Sequence, residues 1–243
     1  MVQILYGYFA NVLSYLLYKV EIPVMIVSSN FVLTDKRANG IENFKVALDF
    51  IIEKGTKGVF VVYKNYNGEM YIHQGFKVKQ IGQLSGSVYS IHDDWYARVI
   101  NGNITRKSYY KPCITIDKDY DFKLSSDIKY IKPTINNNYD YDIKKYRLVF
   151  HEMFHSGTVP KFAMDLIKKC KQENVLFFMG TLFYEYSTLY APTKEAIDEG
   201  AIILHDMSQE AILAKLMVAA GTFHTNEEIK EFMSKNILGE ILD

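Results

Sequence analysis

His151, Glu152 and His155 stand in the spacing His-Glu-x-x-His, which on a helix puts two imidazoles one turn apart around Zn²⁺ and leaves the carboxylate to activate a water. The surrounding residues do not supply that helix. Tyr146 to Phe150 reads as a strand, and Ser156-Gly157-Thr158 followed by Pro160 stops a helix at once. The segment is therefore expected to be a strand running into a loop, with no metal bound. The loop through Gly157 and Thr158 lies between a strand and a helix, the place where open α/β sheets hold ligands on backbone N–H groups. Lys77 and Lys79, near the end of another strand, are candidates for a general base or charge partner, against a reading as solvated surface. His73, His92, His205 and His224 are scattered and read as structural. The sequence has no Gly-x-Ser-x-Gly elbow, no phosphate-cradling loop ending in Lys-Ser/Thr and no paired-cysteine knuckle.

Two alternating series of elements must position these residues. In the first, Val12, Leu13, Leu16, Leu17 and Val20 recur at helical spacing, and the preferred reading of residues 1–18 is an amphipathic helix of a soluble core. Val24 to Val27 then reads as a buried strand, and Glu42 to Glu53 as a helix facing the core through Phe44, Ala47, Leu48, Ile51 and Ile52. Gly58 to Tyr63 reads as a second strand, followed by a hairpin-like Asn67-Gly68. Strand, helix, strand at this spacing predicts a parallel α/β sheet. Residues 101–142 alternate short strands, Cys113 to Ile116 and Ile128 to Ile131 among them, with polar turns, and read as an inter-domain connection. The second series runs strand (Tyr146 to Phe150), helix (Lys161 to Lys171), strand (Val175 to Met179), helix (Thr193 to Glu199) and strand (Ala201 to Leu204). Helices over Gln209 to Ala220 and Asn226 to Asn236 close it, the last opened by Thr225 and Glu228 in capping-box spacing.

The chain has 243 residues, 49% of them apolar, enough for one large domain or two smaller ones. Its 28 basic residues balance 28 acidic ones, which excludes a nucleic-acid binder working by bulk charge. Cys113 and Cys170 are too few for a disulfide framework, so a reducing, cytoplasmic setting is expected. Residues 1–18 are uncharged but lack a basic leader and a small-residue cleavage site, and Gln3, Asn11 and Ser14 interrupt them, so neither a signal peptide nor a membrane span is expected.

The order of segments resembles the L-asparaginase family, its cytoplasmic type I branch above all, and the amidotransferase subunit related to it. Ala10 to Leu17 and Ile22 to Val27 look like the helix and strand that follow the family's second catalytic threonine. Arg37-Ala38-Asn39-Gly40-Ile41-Glu42-Asn43-Phe44 looks like its Ser-Asp-Gly-x-x-Asn-Leu turn and helix. Tyr190, Gly200 to Ile203, Asp206-Met207 and Lys215-Leu216-Met217 look like its C-domain run, and Met233 to Glu240 like its closing helix. The likeness extends from about Gly7 to Asp243, against about the last three-quarters of the family's length.

The resemblance implies an α/β protein. A truncated, asparaginase-like N-terminal parallel-sheet domain would remain over residues 1–100, a connection over 101–142 and a smaller C-terminal α/β domain over 143–243. It implies amide hydrolysis of asparagine to aspartate and ammonia through a threonine acyl-enzyme, without a cofactor. The family's nucleophile stands in a Thr-Gly-Gly-Thr loop, and a Thr-Asp pair within Gly-Thr-Asp-Thr cooperates with a lysine. Neither motif occurs here: the family register puts Gln3 and Ile4 at the Thr-Asp pair, and by the same register the first loop would lie upstream of Met1. The matching lysine is Lys79, with Lys77 as alternative, and Gly157-Thr158 stands where the family has a substrate-binding Gly-Asn. An impaired or inactive amidohydrolase is expected, its partner a small amide such as asparagine, with no nucleic acid and no membrane, in a homo-oligomer. Loss of N-terminal strands would leave an exposed sheet edge. The alternatives are a non-catalytic binding or assembly module on the same fold and, less favoured, a zinc hydrolase.

Overall fold

The computed structural model describes residues 6–53, 55–79, 85–107, 119–134, 136–182 and 189–242. The chain divides into two compact units, residues 1–118 with 237–240 and residues 119–236 with 241–243. The strand expected at Cys113 to Ile116, and the register positions Gln3 and Ile4, lie outside the described residues.

The first unit carries α1 (Tyr6–Leu16), β1 (Pro23–Val27), α2 (Gly40–Ile52), β2 (Gly58–Lys64), β3 (Met70–Gln74), β4 (Ala97–Ile100) and β5 (Asn103–Arg106). The strands lie in that order in one sheet, with β1 at one edge. β1 and β2 run parallel across the α2 crossover, whereas β2 to β5 are antiparallel neighbours. The sheet is therefore mixed and not parallel throughout, because Asn65-Tyr66-Asn67-Gly68 turns the chain straight back: Gly68 N–H donates to Asn65 O at 2.9 Å. β2 is buried on both faces, and its period of two sorts the core. Phe60 and Val62 pack with Phe50 of α2, Ile72 and Tyr96, whereas Val61 and Tyr63 pack with Tyr6 and Ala10 of α1.

Both helices turn a different face inward from the one their apolar spacing predicts. α1 buries Tyr6, Gly7, Ala10, Asn11, Ser14 and Tyr15 and leaves Leu16 exposed. Small and hydrogen-bonding side chains win because the backbone passes close: a Cβ on Gly75 would meet Ser14 Oγ at 2.5 Å and Ala10 O at 2.9 Å. Asn11 Nδ2 donates to Val78 O at 2.9 Å, and Ser14 Oγ to Ala10 O at 2.7 Å. α2 buries Gly40, Asn43, Ala47 and Phe50, while Phe44, Leu48, Ile51 and Ile52 are exposed.

The second unit carries β6 (Ile128–Ile131), β7 (Leu148–Glu152), α3 (Ala163–Gln172), β8 (Leu176–Leu182), α4 (Ala191–Asp198), β9 (Ile202–His205), α5 (Gln209–Thr222) and α6 (Asn226–Ser234). Its four strands are parallel and lie in sequence order, the outcome of successive crossovers. The stretch 101–142 thus supplies a strand to each unit, β5 to the first and β6 to the second. Val149 of β7 and Phe177 and Met179 of β8 pack with α3 on one face. α5 packs on β7 from the other and is itself buried over nine of its 14 residues. The capping box of α6 forms as read, with Glu228 N–H donating to Thr225 Oγ1 at 3.2 Å. Among the described residues no helix is long and apolar enough to cross a membrane.

Phe50 is fully buried, its ring 5.0 Å from that of Phe60 and 5.7 Å from that of Tyr96. Truncating it leaves a cavity between α2 and the sheet, and Phe50→Ala is expected to cost about 3–5 kcal/mol in urea unfolding. A loss below about 1 kcal/mol would mean that α2 is not anchored through this ring.

Candidate functional site

In the first unit the chemistry-bearing residues gather where β1 and β2 end at their carboxyl edge, and four asparagines shape the place. Asn30 and Asn39 exchange reciprocal bonds, each backbone N–H donating to the other's Oδ1 at 2.9 and 3.0 Å. Asn39 Nδ2 donates to Lys64 O at 2.7 Å, and Lys64 N–H donates to Asn43 Oδ1 at 2.8 Å. Asn43 Nδ2 also donates to Ser28 O at 2.9 Å. One residue further on, Asn65 Nδ2 donates to Val88 O at 3.1 Å and its Oδ1 accepts from Val88 N–H at 2.8 Å. Amide side chains suit this role because each has a donor and an acceptor for strand ends that no longer pair. Gly40 is demanded by the approach of the loop: a Cβ there would lie 2.6 Å from Leu33 Cδ2 and 2.7 Å from Ser29 Cβ.

The segment that Asn65 holds in turn holds the candidate lysine. Lys79 N–H donates to Tyr89 O at 2.9 Å, next to a bridge between Val78 and Ser90. The Lys79 side chain is exposed and its ammonium has no ion-pair partner among the described residues. Lys77 differs: its ammonium is paired with Asp94, whose other carboxylate oxygen lies 3.3 Å from Lys107 Nζ. Of the two lysines, Lys79 is the one whose charge is not already committed.

In the second unit Gly157 and Thr158 form a built loop beyond the carboxyl end of β7. Phe154 N–H donates to Thr158 O and Gly157 N–H to Phe154 O, both at 2.8 Å, and Thr193 Oγ1 donates to Gly157 O at 2.7 Å. Gly157 has φ +71°, and a Cβ there would sit 2.5 Å from Leu182 Cδ1. The Thr158 hydroxyl shares a hydrogen bond of 2.9 Å with Ser156 Oγ. Lys79 belongs to the first unit, and Gly157 and Thr158 to the second.

The period of two along β7 separates the members of the His-Glu-x-x-His motif. His151 stacks on Tyr139 at 5.6 Å; its Nδ1 faces the Glu152 carbonyl, which can only accept, so Nε2 accepts the Tyr139 hydroxyl at 2.8 Å. Both ring nitrogens are thereby used, on a strand, and the helical two-histidine geometry of a zinc hydrolase does not form. Burial lowers the imidazole to about 4. Glu152 faces the other way, toward the start of α5. Tyr130 OH donates to its Oε1, and Lys132 Nζ lies 3.8 Å from Oε2. Burial first, then the Glu210 charge, raises its carboxyl to about 7, against a lowering hydrogen bond from Gln209. No spacing rule flags this pair, since Glu152 and Glu210 meet only through the fold, whereas Asn39 and Asn43 stand inside the turn that resembles the family's.

The chain as a whole is similar to known proteins. Residues 7–106 match the family described as Asparaginase, N-terminal. The L-asparaginase of Thermococcus kodakarensis is 25% identical over 245 residues, a match spanning 97% of this chain and 72% of that protein. The solved structure of the thermostable L-asparaginase from that organism superposes with a TM-score of 0.81 at 23% identity, covering 99% of this chain and 74% of the other. Residues 7–106 thus fall in the asparaginase family, and the chain as a whole is similar to its members. L-asparaginase I from Vibrio cholerae shares the fold, with a TM-score of 0.73 at 20% identity over 98% of this chain and 74% of that one. A subunit of the glutamyl-tRNA(Gln) amidotransferase of Methanococcus maripaludis is 27% identical over 253 residues, matching 96% of this chain. The chain spans only 59% of the length of that relative.

Because Glu152 titrates near 7 when folded and near 4.5 when exposed, folding favours its protonated form. The penalty is absent below about pH 4.5, grows as pH rises and is complete above about 7, where it reaches about 3 kcal/mol. Glu152→Gln is therefore expected to unfold at the same urea concentration as the parent near pH 4.5 and at a higher one at pH 8. Parallel pH profiles for the two proteins would show that the carboxyl is not held in this state.

Proposed function

We propose that this chain is a member of the amide-hydrolysing asparaginase lineage in which amide turnover is severely impaired, with a small-molecule amide such as asparagine, and no nucleic acid or membrane, as the ligand of any site it keeps. The observation that carries the reading is Lys79. It is exposed, on a segment paired with the one that Asn65 holds beyond β2, and without an ion-pair partner among the described residues. It stands where the family register places the lysine that works with a threonine, while the register positions of the Thr-Asp pair hold Gln3 and Ile4. A lysine can withdraw a proton only from a group that carries one, and an isoleucine side chain has no hydroxyl to become an acylated nucleophile. The loop at Gly157 and Thr158 fits a ligand-contacting role in the second unit by its place beyond β7. The reading also includes a cytoplasmic setting, no cofactor and a homo-oligomeric state.

A second reading has its own support. Several relatives are named as a subunit of an amidotransferase, which favours a chain that acts as a non-catalytic binding or assembly module.

Ammonia release from asparagine separates these readings from an intact enzyme. The purified chain is expected to run at least about 10⁴-fold below the L-asparaginase of Thermococcus kodakarensis, the scale of losing a covalent nucleophile. A rate within about tenfold of that enzyme would overturn the proposal. Calorimetry decides between the two readings: asparagine binding that Lys79→Met weakens supports a retained amide site, and no heat of binding supports the assembly module.

A further inference from the structure

An asparagine followed by glycine carries a side-chain amide that the chain itself can attack, because glycine has no side chain to shield its backbone nitrogen. The dipeptide occurs three times, as Asn39-Gly40, Asn67-Gly68 and Asn101-Gly102. Attack needs an amide free to swing toward the next backbone nitrogen, and a nitrogen that is not already donating a hydrogen bond. The fold withholds both at two of the three places. Asn39 is buried, its Oδ1 accepts from Asn30 N–H at 2.9 Å, its Nδ2 donates to Lys64 O at 2.7 Å, and Gly40 N–H donates to Ser29 Oγ at 3.2 Å. Asn67 is exposed yet held as firmly. Its Oδ1 accepts from Glu69 N–H at 3.1 Å, its Nδ2 donates to Glu69 Oε2 at 2.7 Å, and Gly68 N–H donates to Asn65 O at 2.9 Å. Asn101-Gly102 is different. It is the two-residue turn between β4 and β5, both residues exposed, with φ of +50° and +78°. Asn103 Nδ2 donates to the Asn101 carbonyl at 3.5 Å, but the Asn101 side-chain amide and Gly102 N–H have no hydrogen-bond partner among the described residues.

We propose that Asn101 is a self-modification site, at which the folded chain loses ammonia and becomes aspartyl or isoaspartyl while Asn39 and Asn67 are protected. The Gly102 nitrogen bonds to Asn101 Cγ as the Cγ–Nδ2 bond breaks, and the proton of Gly102 N–H leaves with Nδ2 as ammonia. A five-membered cyclic imide remains. One water then opens it: attack at Cγ restores the main chain with an aspartyl side chain, and attack at the Asn101 carbonyl carbon routes the main chain through Cγ as isoaspartyl. No group is oxidised or reduced, and water is the one co-reactant. The isoaspartyl product adds a methylene to the main chain inside a turn of two residues, which the closing pair Ile100 and Asn103 cannot absorb in register. β5 is an edge strand, so the start of that strand is the part released.

The test is peptide mapping by mass spectrometry of the full chain incubated at mildly alkaline pH, beside a sample unfolded in urea. Trypsin separates the three dipeptides, since Arg37, Lys45, Lys64, Lys77, Arg98 and Arg106 bracket them. In the folded chain Asn101 is expected to take up the mass change of NH exchanged for O at least about tenfold faster than Asn39 or Asn67, which react only after local opening. In urea the three rates are expected to agree within about threefold, because the protecting bonds are gone. Asn101→Gln, whose attack would need a six-membered ring, is expected to abolish the change in the peptide Val99–Arg106. Three results would each overturn the proposal. One is a folded chain in which Asn101 stays intact while the unfolded sample reacts there, or in which all three sites react alike. Another is a preference for Asn101 that persists in urea, which would assign it to sequence and not to the fold. The third is a mass change in that peptide that survives Asn101→Gln, which would place the reaction at Asn103.

Discussion

The first unit depends on how the backbone at the carboxyl end of β2 is satisfied. A parallel strand that stops inside a covered sheet leaves N–H and C=O groups where water cannot reach them, and each unpaired group costs about 1–3 kcal/mol. Lys64 and Asn65 meet this constraint through side-chain amides: Asn39 and Asn43 take the carbonyl and N–H of Lys64, and Asn65 takes both backbone groups of Val88. The loop before α2, the start of that helix and the segment that carries Lys79 are consequently tied to one point. A substituent that kept polarity but changed length could not reproduce this, since each amide bridges two backbone groups at fixed separation. Asn39 and Asn43 are themselves buried, so the network works in an environment that strengthens its bonds and penalises any gap.

Two buried charges solve the matching problem elsewhere. Lys215 of α5 is fully buried, and its ammonium donates to Met233 O at 3.4 Å and to Lys235 O, the carbonyls that the end of α6 leaves unpaired. Glu240, also buried, accepts from the backbone N–H groups of Ile237 and Leu238, the latter at 2.6 Å, and lies beside the Tyr15 phenol, which burial and that carboxylate push well upward. Each ion finds backbone dipoles of the opposite sense, which offset part of its desolvation. The chain's closing segment is held in the first unit by this carboxylate together with Gly239, whose φ of +94° lets the backbone pass Phe76.

The alternation of strands and helices was legible because it rests on local patterns: continuous apolar runs for strands buried on both faces, caps at Thr225 and Glu228, and turn residues at Asn67-Gly68. The faces of α1 and α2 were not legible from the same patterns. Apolar spacing alone selects the greasier side, but the buried side was decided by how near another backbone comes, which favours Gly, Ala, Ser and Asn over Leu and Ile. Asn11 and Ser14 therefore point inward although they interrupt the hydrophobicity, and Ile52 points outward although it continues it. The candidate site divides in the same way. The special backbone at Gly157 could be suspected from a lone glycine between strand and helix, whereas the clash with Leu182 that requires it is a tertiary fact.

This division bears on what a family can lose while keeping its fold. The amide network around Lys64 and the buried ions at Lys215 and Glu240 satisfy groups that would otherwise destabilise the folded chain, and none of them uses a nucleophile to do so. A catalytic hydroxyl contributes little to this accounting, since at a solvent-accessible edge its bonds are readily replaced by water. In the proposed reading stability and turnover rest on different residues, and selection can preserve the first without the second. In that reading Lys79 marks the boundary between them: its backbone N–H is part of the structural ladder through Tyr89, while its ammonium has no ion-pair partner among the described residues. Replacing that ammonium would leave the ladder intact, so an effect confined to ligand binding or turnover is the signature of chemistry at this position, and an effect on unfolding is not.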